Sequence, residues 1–333
     1  MKANIKQISE KTGFSPATVS NALNHKKGVN RETATVIMDA ARELGYISEE
    51  GIRKIKFVMY RRSGQIVDDT PFFGLMIDGF ERACRESGYE MGMVYLERFA
   101  EDYEQQVEQL LNDITSAVVL LGTELESEDI KLFENSKCPF MTLDYWSSDM
   151  KFNGVAINNF DSMRMATHYL IEMGHREIGY LSGKVRIKAF RLRNRGYRHE
   201  LDVSGIPYKE EYRIPLSTTM DGAYQDMREY LKEKPALPTA FIADNDIIAL
   251  GAIKALQEAG IRVPEDGSII GFDDLPYCEI SNPRLTSMRV PKQDMGRIAV
   301  QKMIDILKSG ESVKTKIEVC TDFVIRDSVK KLN

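Results

Sequence analysis

From Ile5 to Leu44 the apolar positions recur at helical spacing, and from Ile55 onward they gather into short runs separated by longer amphipathic stretches. In the first region Asn4 can cap a helix, with Gln7 three residues on as a variant of the capping box and Ile5 and Ile8 on one face. Gly13 breaks that helix. Ser15 is a good N-cap and Pro16 suits the first helical position, where a missing N–H costs nothing, so a second helix should run to about Asn24 with Val19, Ala22 and Leu23 as its buried stripe. Asn30 caps a third, with Glu32 favoured by the dipole at its start, and Ala34, Ile37, Ala41 and Leu44 recur up to Gly45. Two short helices joined by a Gly-containing turn and braced by a third make a helix-turn-helix. In that motif Pro16, Ala17 and Asn21 would face base edges in the major groove, while Thr18, Ser20 and Asn24 could bond phosphates. A three-helix module for protein contacts has the same periodicity.

Beyond residue 55 the runs IKFVMY, YEMGMVY, SAVVLLG and PFMTLD read as strands, with helices at about 73–88, 102–112 and 126–135. A second series, GVAIN, EIGYLSG, TAFIADN and SIIGFDD, alternates with helices near 160–173, 190–203, 219–233 and 245–259. Strands alternating with helices imply parallel sheets covered on both faces, here two domain-sized sets. Each apolar run ends on a polar or small residue: Asp144, Asn158, Gly183, Asp244 to Asp246, and Asp273-Asp274. In open α/β sheets a ligand sits beyond the carboxyl ends of the strands, so polar groups from two facing sheets would line a cleft. Asp and Asn at these places serve equally well as caps of the following helices.

Charge divides the chain in the same place. Overall there are 45 Lys and Arg against 50 Asp and Glu, a net charge of -5. Residues 1–56 hold ten basic and six acidic side chains, so the remainder holds 35 and 44, and a +4 module precedes a -9 body. A small basic module points to an anionic partner, nucleic acid first. Cys84, Cys138, Cys278 and Cys320 are spaced neither as a disulfide scaffold nor as a metal clip and read as reduced core thiols. His168 and His175 read as structural. No GxGxxG or GxxxxGK[ST] phosphate loop is present, so no cofactor, metal or catalytic residue is assigned. The N-terminus lacks the apolar core of a signal peptide and no apolar run reaches membrane-spanning length, which leads to the expectation of a cytoplasmic protein without a membrane partner.

IKQISEKTGFSPATVSNALNHKKGVNRETATVIMDAARELGY resembles the DNA-binding headpiece of the lactose/galactose-repressor (LacI/GalR) family, almost without a gap from Asn4 to Tyr46; its ATVSxALN core and closing ELGY are specific to that family. The resemblance implies base reading by Pro16, Ala17 and Asn21 and phosphate contacts among Ser15, Thr18, Ser20, Asn24, Asn30 and Tyr46, with Asn4 beside them. It continues through PFF at 71–73, MATHYLIEMGHREIGYLSG, RLRNRGY, FIADNDIIALGAIKALQEAGIRVPEDGSIIGFDD, NPRLTSMRVPKQDMGRIA and TDFVIRDS. It implies an α/β periplasmic-binding-protein-like effector domain of two doubly wound parallel-sheet subdomains behind the three-helix headpiece. The expected organisation is a headpiece over 1–46, a short link over 47–54, and a body over 55–333. Within the body, about 55–157 and 286–319 form one subdomain, and 158–285 with 320–333 the other, with three chain crossings between them.

By the same resemblance Phe73, Asp144, Arg193, Asn245 and Asp273 contact the effector. Carboxylates and an amide suit paired hydroxyls, a guanidinium forks onto ring oxygens, and Phe72, Phe73 and Trp146 can cover an apolar sugar face. The implied function is a transcriptional regulator, most simply a repressor, binding a palindromic double-stranded operator as a homodimer under control of a small-molecule effector, a sugar first. One headpiece alone covers too few bases for useful specificity. The C-terminal DSVKKLN has no heptads to hold a tetramer.

Two departures from the family stand out. Only ISEEGIRK separates Tyr46 from Ile55, in place of a longer hinge that wedges leucine into the minor groove, and Glu49 and Glu50 would repel phosphate. The loop after IKFVMY reads RRSGQIVDDTPFF, whose Arg61 and Arg62 either make the cleft mouth basic, as for a sugar phosphate or uronate, or form a solvated pair. A nucleobase effector is the other regulator reading. A glycoside hydrolase built on Asp144 and Asp273 is the enzyme alternative, and an exported transport receptor the third class.

Overall fold

The computed structural model describes residues 4–23, 29–44, 52–68, 71–309 and 313–332. At the N-terminus, α1 (Ile5–Thr12), α2 (Pro16–Leu23) and α3 (Arg31–Glu43) close on Ile8, Val19, Ala22, Ile37, Ala40 and Ala41. The caps account for the boundaries. Asn4 Oδ1 accepts from the Gln7 amide while the Asn4 amide donates back to Gln7 Oε1, at 3.0 and 2.9 Å, a complete capping box. Gly13 ends α1 at φ 75, a left-handed turn that favours glycine. Ser15 Oγ accepts from the Thr18 amide at 3.1 Å and Asn30 Oδ1 from the Thr33 amide at 2.8 Å, capping α2 and α3. Leu23 is only partly buried at the edge of this core. The expected link over 47–54 falls mostly outside the described residues.

The body contains two six-stranded sheets. The first comprises β1 (Lys54–Arg61), β2 (Glu90–Glu97), β3 (Ser116–Leu121), β4 (Phe140–Leu143), β5 (Asn153–Ile157) and, late in the chain, β11 (Lys316–Val319). Their order is β11-β5-β4-β3-β1-β2, all parallel. The second holds β6 (Ile178–Gly183), β7 (Arg213–Leu216), β8 (Ala240–Ala243), β9 (Ser268–Asp273), β10 (Thr286–Arg289) and β12 (Asp322–Val324). Its order is β12-β10-β9-β8-β6-β7, with β12 antiparallel to β10 and the rest parallel. β3, β4, β5, β6, β8 and β9 are buried along their whole length, as parallel strands covered on both faces must be.

The helices α4 (Pro71–Glu86), α5 (Tyr103–Leu111), α6 (Asn159–Glu172), α7 (Lys188–Val203), α8 (Met220–Lys232), α9 (Asp246–Glu258), the short α10 (Tyr277–Ile280) and α11 (Lys292–Ser309) supply the covering layers. None of the described helices is long and apolar enough to cross a membrane.

Several expectations are corrected. The chain returns to the first subdomain after β10, not at 286: Thr286–Arg289 pairs with Ile270–Asp273 in the second sheet, and α11 then packs on α4. The helix read at 126–135 shrinks to a 3-10 turn over Asp129–Phe133. Asp129, almost fully buried, draws in Arg62 and Arg98 at 2.7 Å each and the Glu126 amide at 3.2 Å, which fixes this short turn by side-chain bonds. β7 escapes a hydrophobic reading because it is a four-residue edge strand containing Pro215, which only an edge tolerates. Cys84, Cys138 and Cys278 are buried, but Cys320 lies exposed at the last crossing.

α11 reaches α4 through backbone approaches that side chains would block. A Cβ on Gly79 would stand 2.1 Å from the Gln293 carbonyl oxygen, and one on Gly296 2.3 Å from that of Met76. Gly79→Leu should therefore force these helices apart and lower the melting temperature by several degrees, about 1–3 kcal/mol or more. Gly74→Ala, where a Cβ meets nothing, is the control in the same thermal melt.

Candidate functional site

On the headpiece Asn4, Ser15, Pro16, Ala17 and Asn30 are exposed, and Thr18, Ser20 and Asn21 half-buried, along α2 and the helix starts beside it. Asn4, Ser15 and Asn30 spend their side-chain oxygens as caps, and Thr18 Oγ1 lies 2.9 Å from Ser15 Oγ. Other amides of a helix's first turn lack an intrahelical partner, which is what lets helix starts receive phosphate oxygens. Pro16 and Ala17 present small apolar surface at the start of α2, and Asn21, one turn on, presents an amide able to pair with a base edge. Asn24 and Tyr46 lie outside the described residues.

The second constellation forms where the two sheets face each other. Phe72 and Phe73 from the start of α4, Asp144 beyond β4, Arg193 on α7, Asn245 beyond β8 and Asp273 at the end of β9 all line one cavity. Ile66, Thr123, Ile157, Ile187, Ala189 and Phe190 complete its wall, and its free space is only about 30 Å³. That is room for water rather than for a sugar.

Arg193 organises this cavity. Its side chain, 3% exposed, donates through Nε to Asn159 Oδ1 at 2.8 Å, through Nη1 to the Asp244 carbonyl at 2.6 Å and through Nη2 to Asp273 Oδ1 at 3.4 Å. Its guanidinium carbon lies 3.6 Å from the centre of the Phe272 ring, a close cation–π contact. Asn245 caps α9 by accepting from the Ile248 amide at 3.0 Å, so the capping and cavity-lining roles fall on one residue. Asn158 likewise caps α6. Asp144 and Asp273 hold left-handed φ values of 55 and 111, a strained backbone that turns each carboxyl inward at a strand end.

Burial, then the charge of Asp273 across the cavity, pushes the Asp144 carboxyl up to about 6, against the opposing pull of Thr123 and Arg193. Burial raises Asp273 as well, opposed by Arg193 and by Lys292. Lys292 is itself lowered by burial; its ammonium donates to the carbonyls of Asp273, Asp274 and Val290, pinning the turn after β9.

One expectation fails here. Trp146 does not line the cavity: its ring lies 5.8 Å from the Lys316 ammonium, its carbonyl accepts from Lys188, and its indole packs beside Gly154. Chain direction after Asp144 carries it to the sheet edge. Of the two readings of Arg61 and Arg62, the basic cleft mouth is not the one formed, because both guanidinium groups are ion-paired. Arg61 pairs with Asp68 and Glu97 at 2.7 and 3.1 Å, and Arg62 with Asp129 and Glu128 at 2.7 and 3.3 Å.

Sequence reading missed Asn159, Lys292, Thr123 and the apolar wall. Phe190, one turn before Arg193, was legible from helical spacing; Ile66 and Thr123 carry no local signal. Of the two histidines, His168 is exposed on α6 and His175 is buried. His168 bonds Glu200 at 2.9 Å, and His175 sits between Thr239 Oγ1 and the Lys330 carbonyl at 2.9 and 3.0 Å.

Comparison with known proteins bears on both constellations. Residues 4–49 match the model of bacterial regulatory proteins of the lacI family, and residues 167–329 match a periplasmic binding protein-like domain. The chain is 29% identical over 336 residues to the HTH-type transcriptional repressor PurR of Haemophilus influenzae (strain PittEE), covering 99% of both proteins. It is 29% identical over 332 residues to PurR of Pasteurella multocida (strain Pm70), covering 98% of this chain and 99% of that one. Among solved structures, the transcriptional regulator CelR in complex with cellobiose aligns with a TM-score of 0.74 at 26% identity over 98% of this chain and 100% of that one. The lac repressor dimer bound to operator and the anti-inducer ONPF shares the fold, with a TM-score of 0.73 at 23% identity over 99% of this chain and 100% of that one.

The raised Asp144 carboxyl makes a pH prediction. Because its folded value, about 6, lies above the ordinary 3.8, its contribution to the closed form is fully present below about pH 4 and lost as pH rises through 6. Asp144→Asn removes that loss while keeping an acceptor for Thr123. The variant should melt higher than the parent at pH 7.5, by roughly 1–2 kcal/mol after allowance for solvent contact, with the gap narrowing as the pH falls through 6 and closing only below about pH 4. Parallel melting curves across that range check it.

Proposed function

Because the chain belongs to the lacI family of bacterial regulatory proteins, we propose that it is a DNA-binding repressor whose operator affinity is set by a small neutral effector, a sugar, held between the two subdomains. The observation that carries this reading is the single cavity receiving Asp144 from one subdomain and Arg193, Asn245 and Asp273 from the other, with Phe72 and Phe73 beside them. Hydroxyls can both donate to the carboxylates and accept from the amide and guanidinium, and aromatic rings suit an apolar sugar face. Cellobiose bound to the CelR regulator supports the same ligand class.

Two carboxyls and one guanidinium line the cavity, and Arg61 and Arg62 are already paired, which weighs against a sugar phosphate or uronate. Catalysis has no support either. Asp273 is tied to Arg193, and the residue types are those of binding.

Binding at the cleft would alter how far the subdomains separate, and through a dimer the spacing of two headpieces on a palindromic operator. A homodimer is supported by an apolar hollow of 540 Å³ lined by Met220, Ile247, Leu250, Tyr277 and Ile280; Ile280 is 81% exposed. A regulator of this kind acts in the cytoplasm.

Asn21→Ala should change the preferred operator bases, costing about 1–3 kcal/mol at the base it reads, with effector binding unchanged. Arg193→Lys keeps the charge, but its compact ammonium lacks the planar fork that reaches Asn159, the Asp244 carbonyl and Asp273 from three separate nitrogens, so it should lose effector response while retaining operator binding. Thermal-shift screening of sugars, sugar phosphates and nucleobases tests the ligand class. Stabilisation by nucleobases alone would overturn the sugar reading.

A further inference from the structure

The loop between β1 and α4 begins with two arginines that turn away from the effector cavity, yet its backbone turns toward it. The amides of Arg62, Ser63 and Gly64 converge on Oε2 of Glu124 at 2.8, 2.7 and 3.0 Å, and the amide of Ile66 donates to Oε1 at 3.0 Å. Glu124, just beyond β3 and 3% exposed, thus fills a nest of successive N–H groups, the arrangement in which backbone turns hold anions. Gly64 supplies the left-handed step with φ 74, and a Cβ there would stand 2.6 Å from Asp68 Oδ2.

With the turn pinned, Ile66 and Val67 are buried and Ile66 becomes part of the cavity wall. The Gln65 carbonyl then accepts from Thr218 Oγ1 of the second subdomain at 3.4 Å. Arg191 on α7 reaches Glu126, two residues beyond Glu124, at 2.8 Å.

We propose that the Arg62–Asp68 loop is a fixed wall of the effector site, that Glu124 is its positioning residue, and that Ile66 limits the site to an effector of a single ring. The proposal rests on the reading of the cleft as a sugar site. Parting the subdomains enlarges the cavity only between them. The wall does not travel with the second subdomain, because Glu124 ties it to the end of β3, on the same side as Phe72 and Asp144. Opening therefore adds no room where Ile66 stands, and a second ring meets that side chain.

The full-length protein is melted with D-glucose, D-galactose, D-ribose, cellobiose and lactose. A monosaccharide should raise the melting temperature of the parent and the disaccharides should not, whereas Ile66→Ala should gain a disaccharide response. A parent stabilised by a disaccharide, or an Ile66→Ala protein that still excludes both, overturns the size limit. If no sugar acts on the parent, the sugar reading and the ring limit built on it fall together, and hydrogen exchange judges the wall by itself. Glu124→Ala should speed exchange at the amides of Arg62, Ser63, Gly64 and Ile66 roughly 10- to 100-fold while β3 and β4 keep their protection. Glu124→Gln, which keeps one acceptor oxygen, should fall between and guards against a misfolded alanine variant. Unchanged loop exchange in either variant overturns the positioning role.

Discussion

A guanidinium buried to 3% exposure has to find its partners inside the protein, and the arrangement of the second subdomain follows from where Arg193 finds them. An unpaired charge in that position would cost several kcal/mol. Asn159 at the start of α6, the Asp244 carbonyl beyond β8 and Asp273 at the end of β9 meet on one planar fork, and the Phe272 ring closes its face. Three chain segments distant in sequence are thereby held together at the carboxyl ends of the strands. A lysine has a charge but no such fork.

Carboxyls gather around that cation in excess. Asp244 accepts from Tyr180, Gly183 and Arg186, while Asp246 accepts from Ser287 and Leu275, so these two are committed to holding loops together. Asp144 and Asp273 face the cavity, both raised by burial. The same enclosure that makes them costly to ionise leaves them ready to accept hydrogen bonds from a hydroxyl-bearing ligand. Of these four carboxyls, two tie loops together and two line the cavity, according to which side of the strand end they occupy.

The headpiece depends on much shorter distances along the chain. Asn4 with Gln7, Ser15 with Thr18 and Asn30 with Thr33 are all three residues apart, so each helix start is written in a single local segment. The loop between β1 and α4, beside the cavity, is the opposite case. Its turn residues are recognisable, but the carboxylate that holds them comes from Glu124, about sixty positions away.

The sequence by itself determined the three headpiece helices, the alternation of strands and helices, and the polar residues at strand ends, because periodicity and capping act over a few residues. Phe72, Phe73, Asp144, Arg193, Asn245 and Asp273 were legible through that pattern and a family resemblance, and they meet in one cavity. Only the tertiary structure decided that Trp146 leaves the cavity, that Arg61 and Arg62 are neutralised, that β10 stays with the second sheet and that Asn159 steadies Arg193. Each of these depends on a partner far along the chain. Charge pairing, strand neighbours and side-chain direction beyond a turn are properties of packing, and no local pattern encodes them.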